Sequence, residues 1–294
     1  MPKSLLTNSF PMNNFWARTI TGLSMVFLIL AALYLDRYFF AGIFLVVLVL
    51  GLLEFYSITG TMQCEPQKWT GTAVGALIYL IITGFFFISL QHGLLVIGAF
   101  LVLTLPLLFI PLISELFRKK EKPILNVAVT VFGIIYLALP LSLLNLMNDP
   151  GGGMIFQRFP AYLTSYFLIT WIYDTGAYLV GRSFGRHKFF ERISPKKTWE
   201  GTIGGIVVAV AAALGLYYIS EGTELISFLA LTLLVVVFGT FGDLAESLFK
   251  RSLGLKDSGS ILPGHGGILD RFDTIFVSAP FVFLYFVLQN VINP

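Results

Sequence analysis

The chain has 294 residues, of which 56% are apolar and only 12% are charged. A soluble domain carries about 25% charged residues, so this composition, with a mean hydropathy of +0.85, excludes an ordinary soluble protein. The composition instead favours a protein embedded in a lipid bilayer, and the net charge of +3 is misleading as a global figure because the basic residues are concentrated on one face.

Nine apolar stretches are long enough to cross a bilayer, which needs about 20 apolar residues per helix. Backbone polar groups in hydrocarbon must be bonded within the segment, and the stretches lack the short alternating pattern of a barrel, so we predict helices. The expected fold class is all-α, a polytopic integral membrane protein with about nine transmembrane helices. The predicted spans are 17–35, 39–58, 70–90, 93–113, 125–147, 161–181, 201–219, 225–245 and 272–290.

The basic residues predict the orientation, because cytoplasmic loops carry an excess of Lys and Arg. Of the 19 Lys and Arg residues, all but Arg37 and Arg158 are predicted to lie on the same side of the membrane as the N-terminus. We therefore expect a cytoplasmic N-terminus, an external C-terminus and the bacterial inner membrane as location. The positive face meets anionic headgroups and cytosolic nucleotides, and nucleic acid is not an expected partner.

The two halves of the chain differ in their loops. Residues 1–159 are predicted to be N-terminal transmembrane helices that form a scaffold, a lipid-facing wall or a dimer surface. Residues 160–294 carry two long inner loops, 182–200 and 246–271, that are dense in charge, Gly and Pro, so we expect the chemistry there. The single cysteine, Cys64, has no activating neighbour in the sequence and is expected to be inert. The run 151–153 of three glycines is interpreted as a turn.

Acidic residues in or beside apolar helices are candidates for function, since charge is costly there. Asp174 could serve the reaction or pair with an inner-loop lysine, and Glu54 is interpreted as a boundary residue at the end of the second helix. Asp243 approaches the cytoplasmic end of its span, and Asp270 opens the last helix at the same boundary. Asp243 and Asp270 can therefore converge.

Two converging aspartates suit a magnesium ion. Mg²⁺ takes one or two carboxylates from a protein and fills its other positions with water and phosphate oxygens, which matches Asp243 and Asp270. Asp273, one turn further on the same helix face, is a third ligand or a supporting residue. The alternative is that Asp270 and Asp273 only complement the positive end of the last helix.

Two segments have features of phosphate-binding sites. The stretch Ser194–Gly201 is interpreted as a helix start with Ser194 as cap, whose free amides would attract an anion together with Lys196 and Lys197. The glycine-rich stretch 263–267 can form a nest of backbone amides beside Asp270, where His265 donates to a phosphate or bonds the loop. The plainer reading of the first segment is a solvated loop that follows the positive-inside pattern.

These residues together resemble the phosphatidate cytidylyltransferase family, also called the CDP-diacylglycerol synthases. The family signature runs from a Ser through Lys-Arg, Lys-Asp and His-Gly-Gly to Asp-Arg-x-Asp, and the likeness extends over about residues 160–275. The signature is matched by Ser247, Lys250, Arg251, Lys256, Asp257, Pro263, His265, Gly266, Gly267, Asp270, Arg271 and Asp273.

The resemblance implies an enzyme that transfers CMP from CTP to phosphatidic acid, forming CDP-diacylglycerol and pyrophosphate in phospholipid biosynthesis. It implies Mg²⁺, with K⁺ as a second ion, and a homodimer among membrane lipids. The implied catalytic residues are Asp243, Asp270, Lys250 and Asp174, and the implied metal ligands are Asp243, Asp270 and Asp273. The implied substrate-binding residues are Lys196, Lys197, Ser247, Arg251, Lys256, Asp257, His265, Gly266, Gly267 and Arg271.

The residues themselves leave other functions open. An ion-coupled membrane transporter would also carry intramembrane acids such as Asp174 and Asp243, although its polar groups gather near the midplane of the bilayer. A CTP-dependent kinase or cytidylyltransferase that acts on an isoprenoid lipid would need much the same site.

Overall fold

The structure is a computed structural model that describes residues 14–60, 64–88, 102–148, 159–220, 224–255, 257–259 and 266–292. Within these ranges almost all residues are helical, which confirms the all-α fold class. A 3₁₀ turn, Leu105–Phe109, leads into α4, and one π-helical turn, Ile134–Ala138, lies inside α5. The helices are α1 (Asn14–Leu35), α2 (Arg37–Thr59), α3 (Lys68–Ile88), α4 (Ile110–Arg118), α5 (Pro123–Met147), α6 (Phe159–Phe184), α7 (Trp199–Ile219), α8 (Leu225–Ser252) and α9 (Leu269–Ile292).

The helices agree with the apolar pattern of the sequence. Among the described residues, five helices are long and apolar enough to cross a membrane: α2, α5, α7, α8 and the stretch Leu269–Gln289 of α9. The predicted span 93–113 falls partly on residues that the structure does not describe, and so does the glycine run 151–153. The chain is therefore a membrane protein with several spanning helices.

Contacts between helix termini define the two ends of the molecule. At one end, the Tyr34 hydroxyl of α1 lies 3.3 Å from the Thr164 hydroxyl of α6, and Gln289 of α9 donates to the Ser227 hydroxyl of α8 at 2.7 Å. At the other end, the carboxylate of Glu54 on α2 meets the start of α9. This second end, called the loop end below, carries both charged segments.

The helices extend further into the loop end than the apolar pattern predicts. The loop expected over 246–271 is wrong at both edges, because α8 continues to Ser252 and α9 already begins at Leu269. Gly254, with a φ of 68°, ends α8 in the left-handed conformation that favours glycine, and the next amide, Leu255 N, donates to the Lys250 carbonyl at 2.8 Å. The signature residues from Ser247 to Ser252 are therefore helical.

A two-stranded antiparallel hairpin, β1 (Lys188–Phe190) and β2 (Ser194–Thr198), connects α6 to α7. The expected helix start at Ser194 and Pro195 is wrong. The helix begins at Trp199, and Thr198 is the cap, since its hydroxyl accepts from Gly201 N at 3.2 Å. The first turn of α7 packs closely on α6, since a Cβ at Gly201 would lie 2.7 Å from the Ala177 carbonyl oxygen and 2.9 Å from the Gly181 Cα of α6.

A buried polar network supports the N-terminal half between α3, α4 and α5. The Glu115 carboxylate accepts from Gln67 and Arg118 at 2.6 Å and from Asn126 at 2.7 Å. Burial raises the pKa of Glu115, but the hydrogen bonds from Asn126, Arg118 and Gln67 outweigh it and leave the pKa lowered. Nearby, burial raises the pKa of the Cys64 thiol, which agrees with an unreactive cysteine.

Helices α8 and α9 cross in close contact. A Cβ at Gly242 would lie 3.2 Å from both the Asp273 carbonyl carbon and the Thr274 Cα, and one at Gly239 would lie 2.6 Å from Thr274 Cγ2. Two glycines on one face of α8 therefore bring its backbone against that of α9. This crossing places Asp243, the residue after Gly242, beside Asp273.

We predict that Gly242→Ala lowers the thermal unfolding midpoint in detergent and reduces activity, because the new methyl group would force α8 and α9 apart. Overpacking of this kind costs about 1–3 kcal/mol. Gly42→Ala in α2 is the matched control, since nothing lies within 4 Å of the position that its new methyl group would occupy, and it should leave the midpoint unchanged or raise it slightly. Equal midpoints for the two variants would contradict the crossing.

Candidate active site

Three aspartates from three helices come together near the loop end. Asp243 lies on α8, Asp273 on α9 and Asp174 on α6, and the charges of Asp243, Asp174 and Glu246 all act on Asp273. A hydrogen bond of 2.7 Å between the Tyr173 and Thr240 hydroxyls fastens α6 to α8 beside them. Asp174 is exposed and Asp243 is partly exposed.

A lysine from the hairpin is bound to this cluster. Lys197 Nζ lies 2.5 Å from Asp243 Oδ2, and the two side chains are 26% and 33% exposed. On the same carboxylate, Asp243 Oδ1 accepts from the Ser247 hydroxyl at 3.3 Å. The hairpin is held in place by Glu200, which accepts from the amides of Arg186 and His187 at 3.1 and 3.2 Å. The site therefore combines acids from the helices with a cation from the loop.

A second group of charges lies at the start of α9. Lys250 Nζ is 2.6 Å from both Glu246 Oε2 and Asp270 Oδ1, and its side chain is only 13% exposed. The other oxygen of Asp270 accepts from the amides of Ser258 at 3.1 Å and Gly267 at 3.0 Å. Lys250 thus forms ion pairs with two carboxylates, and both carboxylate oxygens of Asp270 have bonding partners.

The remaining signature residues have separate positions. Arg251 donates to the Ile193 carbonyl of the hairpin at 3.4 Å and to the Leu255 carbonyl at 3.1 Å. Gly266 has a φ of 82° and lies against Asp270, since a Cβ there would be 2.6 Å from its Oδ2. Asp257, Arg271 and Lys196 are exposed. Lys256, Pro263 and His265 lie outside the described residues.

The carboxylates fit the chemistry of a magnesium site. Hard oxygen ligands are what Mg²⁺ prefers, and one or two carboxylates are enough because water and phosphate complete its shell. Within the described ranges no group of three or more His, Cys, Asp or Glu side chains is arranged to hold a metal ion. The magnesium site through Asp243, Asp270 and Asp273 therefore stays a prediction, and Lys197 is the cation bound to Asp243 here.

Two residues of the N-terminal half reach the site although the sequence did not indicate it. Glu54 lies near the end of α2, as expected, but it is buried and bonded to the loop before α9. Tyr136, on the π turn of α5, stacks on Phe132 with ring centroids 5.5 Å apart. Its buried hydroxyl has no hydrogen-bond partner among the described residues, and the charges of Asp273 and Glu246 act on it. A π turn often marks a functional position.

A polytopic membrane protein whose acids and lysines meet at one end of the helix bundle has the features of a membrane enzyme that handles phosphates. The comparison with known proteins agrees with this class. The profile of the Cytidylyltransferase family matches residues 16–289, and the chain belongs to this family.

Individual relatives are named phosphatidate cytidylyltransferase. The chain is 32% identical to the one from Haemophilus influenzae over 292 residues, which covers 92% of this chain and 99% of that protein. It is 50% identical to the one from Staphylococcus aureus over 120 residues, 40% of this chain. The chain spans about half the length of the staphylococcal relatives that it matches, 46% in this case.

We predict that Lys250→Met destabilises the protein, because it leaves Glu246 and Asp270 as buried charges without a counter-ion. Breaking a buried pair in this way costs about 3–5 kcal/mol, which should lower the thermal unfolding midpoint in detergent by several degrees. Lys196→Met removes an exposed lysine and should melt like the wild type. A Lys250→Met protein as stable as the Lys196→Met control would show that the pair is not formed.

Proposed function

We propose that the protein transfers CMP from CTP to phosphatidic acid, giving CDP-diacylglycerol and pyrophosphate. The observation that carries the proposal is the meeting of Asp174, Asp243 and Asp273 with Lys197 at the loop end of a membrane bundle. Family membership supports the same reaction, since relatives carry the name phosphatidate cytidylyltransferase. The proposed substrates are thus one soluble nucleotide and one membrane lipid.

The chemistry requires positioning and charge neutralisation more than a strong base. An oxygen of the lipid phosphate attacks the α-phosphorus of CTP, one P–O bond forms, and the bond to the pyrophosphate oxygen breaks. A phosphate monoester, with a second pKa of about 6, is already largely a dianion at neutral pH. The nucleophile therefore arrives deprotonated, which agrees with a site built of aspartates and lysines.

The cations of the site would bind the substrate phosphates and offset their repulsion from the nearby carboxylates. Lys197, partly exposed on Asp243, is placed to bind a phosphate oxygen, and exposed Lys196 and Arg271 extend the positive surface. Lys250 would orient Asp270 rather than contact the substrate, because both carboxylates beside it already bind its ammonium group. Such fixed charges stabilise the negative charge that grows on the leaving pyrophosphate.

Metal ions belong to this proposal. Mg²⁺ held by Asp243 and Asp270, with Asp273 beside them, would neutralise the triphosphate and stabilise the leaving group. K⁺ is the candidate for a second ion. The proposed role of the protein is to point the carboxylates into one space, which the close crossing of α8 and α9 at Gly242 supports.

The proposal also includes an orientation and an assembly. We place the loop end and the N-terminus in the cytoplasm, where CTP is available and where the excess of Lys and Arg is expected. We propose a homodimer on the basis of the family resemblance. Cross-linking in native membranes tests the assembly, and labelling of cysteines introduced at exposed Lys196 tests the side.

We predict that Asp243→Asn and Asp270→Asn each lower the rate of CMP transfer roughly 10²–10³-fold, because each removes a fixed charge from the site. The measurement is Mg²⁺-dependent release of pyrophosphate from CTP with phosphatidic acid in nanodiscs, with identification of the lipid product. An isoprenoid lipid that outcompetes phosphatidic acid would redirect the proposal to that substrate.

Asp36→Asn is the matched control for these two variants. Asp36 caps α2 at the opposite end of the bundle, where its carboxylate accepts from Tyr38 N at 2.7 Å, and asparagine caps a helix equally well. This control should keep full activity. Turnover near the wild-type rate in Asp243→Asn or Asp270→Asn, with the protein folded, would contradict the assignment.

A further inference from the structure

Glu54 is the point to which the start of α9 is fastened, although it belongs to α2 in the other half of the chain. It is only 5% exposed. Its Oε2 accepts from Ile268 N at 2.8 Å, and its Oε1 accepts from Leu269 N at 3.3 Å and from the Ser258 hydroxyl. All three donors belong to the segment that carries Asp270.

The packing around Glu54 is shaped to this carboxylate. A Cβ at Gly267 would collide with Glu54 Oε1, and one at Gly259 would lie 3.0 Å from Glu54 Cδ. One turn earlier on α2, a Cβ at Gly51 would lie 3.5 Å from Ile268 Cγ2, so the helix approaches α9 closely here. The loop therefore accommodates the carboxylate in one position.

Asp270 holds the same stretch of chain from the other side. Ser258 donates its hydroxyl to Glu54 and its amide to Asp270, and the amide of Gly267 also donates to Asp270. Ile268 and Leu269, bonded to Glu54, are the two residues directly before Asp270. A change in the position of the Glu54 carboxylate would consequently move Asp270 in two ways, through Ser258 and through the backbone of Ile268 and Leu269.

The chemistry suits a carboxylate rather than a neutral group. The first amides of a helix have no partner within the helix, and the buried amides of Ile268 and Leu269 need an acceptor from the protein. Hydrogen bonds from amides to a charged acceptor are shorter and about twice as strong as those to a neutral acceptor. Negative charge is also favoured at this end of a helix.

We propose that Glu54 is a positioning residue of the active site, which fixes the direction of the Asp270 carboxylate by capping α9 from a different helix. Glu54 contacts the amides of Ile268 and Leu269 and would affect the reaction only through the position of Asp270. Its kinetic consequence rests on the proposed function, whereas its effect on the start of α9 does not. A glutamate that served stability alone would affect folding and leave the turnover of the folded protein unchanged.

The test uses the full chain in lipid nanodiscs with Glu54→Gln, Ser258→Ala, the double variant and Glu65→Gln as control. Gln keeps the shape of Glu54 but presents NH₂ to backbone amide donors. We expect the kcat of the folded protein to fall about 100-fold, the effect of a displacement of about 1 Å in an active site, with KM for both substrates nearly unchanged. The unfolding midpoint should fall by only a few degrees, because the buried amides lose an acceptor. Glu65, whose side chain is 60% exposed and paired with Lys120, should tolerate Gln without effect.

A second readout does not depend on activity. Hydrogen exchange followed by mass spectrometry should show faster exchange in Glu54→Gln for peptides that contain the amides of Ile268 and Leu269, while other helices keep their protection. Ser258→Ala should have a smaller effect on both readouts. The double variant should be no worse than Glu54→Gln, because residues that share one interaction are not additive.

Several results would overturn the proposal. One is a wild-type kcat in Glu54→Gln; another is a loss of kcat that follows a general loss of folded protein or faster exchange in all helices. Unchanged exchange at Ile268 and Leu269 would also overturn it. If the wild type shows no CMP transfer, the proposed function fails, and the exchange measurement still decides whether Glu54 holds the start of α9.

Discussion

A charged side chain inside a membrane protein must find opposite charge or polar hydrogens within the protein, because lipid supplies neither. The loop end meets this constraint with shared partners. Lys250 lies between two carboxylates at 2.6 Å, Lys197 binds Asp243 at 2.5 Å, and Glu54 accepts hydrogen bonds from backbone amides. Since Asp270, Asp243 and Glu54 each have partners on another element, the site and the packing of the helices depend on each other.

This mutual dependence explains why the polar residues lie where helices cross. The glycines of α8 at positions 239 and 242 bring α9 so close that the charge of Asp243 interacts with Asp273. On the other side, α6 is tied to α8 by the bond between Tyr173 and Thr240. A rigid frame of this kind keeps several acids near one another despite their repulsion, as a cation-binding site requires.

The fold could largely be predicted from the sequence, because apolar runs of membrane length leave little choice of structure. The ends of the helices could not. Ser194 and Pro195 form a good local start signal, but pairing of Ser194–Thr198 with the other hairpin strand occupies them, and α7 begins at Trp199. The hairpin strands of three and five residues are too short to show a strand pattern.

The sequence predicted most of the residues of the candidate site, but it did not predict which side chains contact one another. Intramembrane position singled out Asp174 and Asp243, and the family resemblance supplied the signature residues. The partners of Glu54 and Tyr136 depend on which helices are neighbours, and no local pattern encodes that. The division at residue 159 into scaffold and catalytic parts stays a prediction, and these two side chains cross it.

The collision between Glu54 and any side chain at position 267 has an evolutionary consequence. The carboxylate occupies the volume that a methyl group on Gly267 would need, so position 267 cannot gain a side chain while Glu54 keeps its place. Across related chains the two positions should therefore covary, with a larger residue at 267 tolerated only where the acid at 54 has been replaced by something shorter.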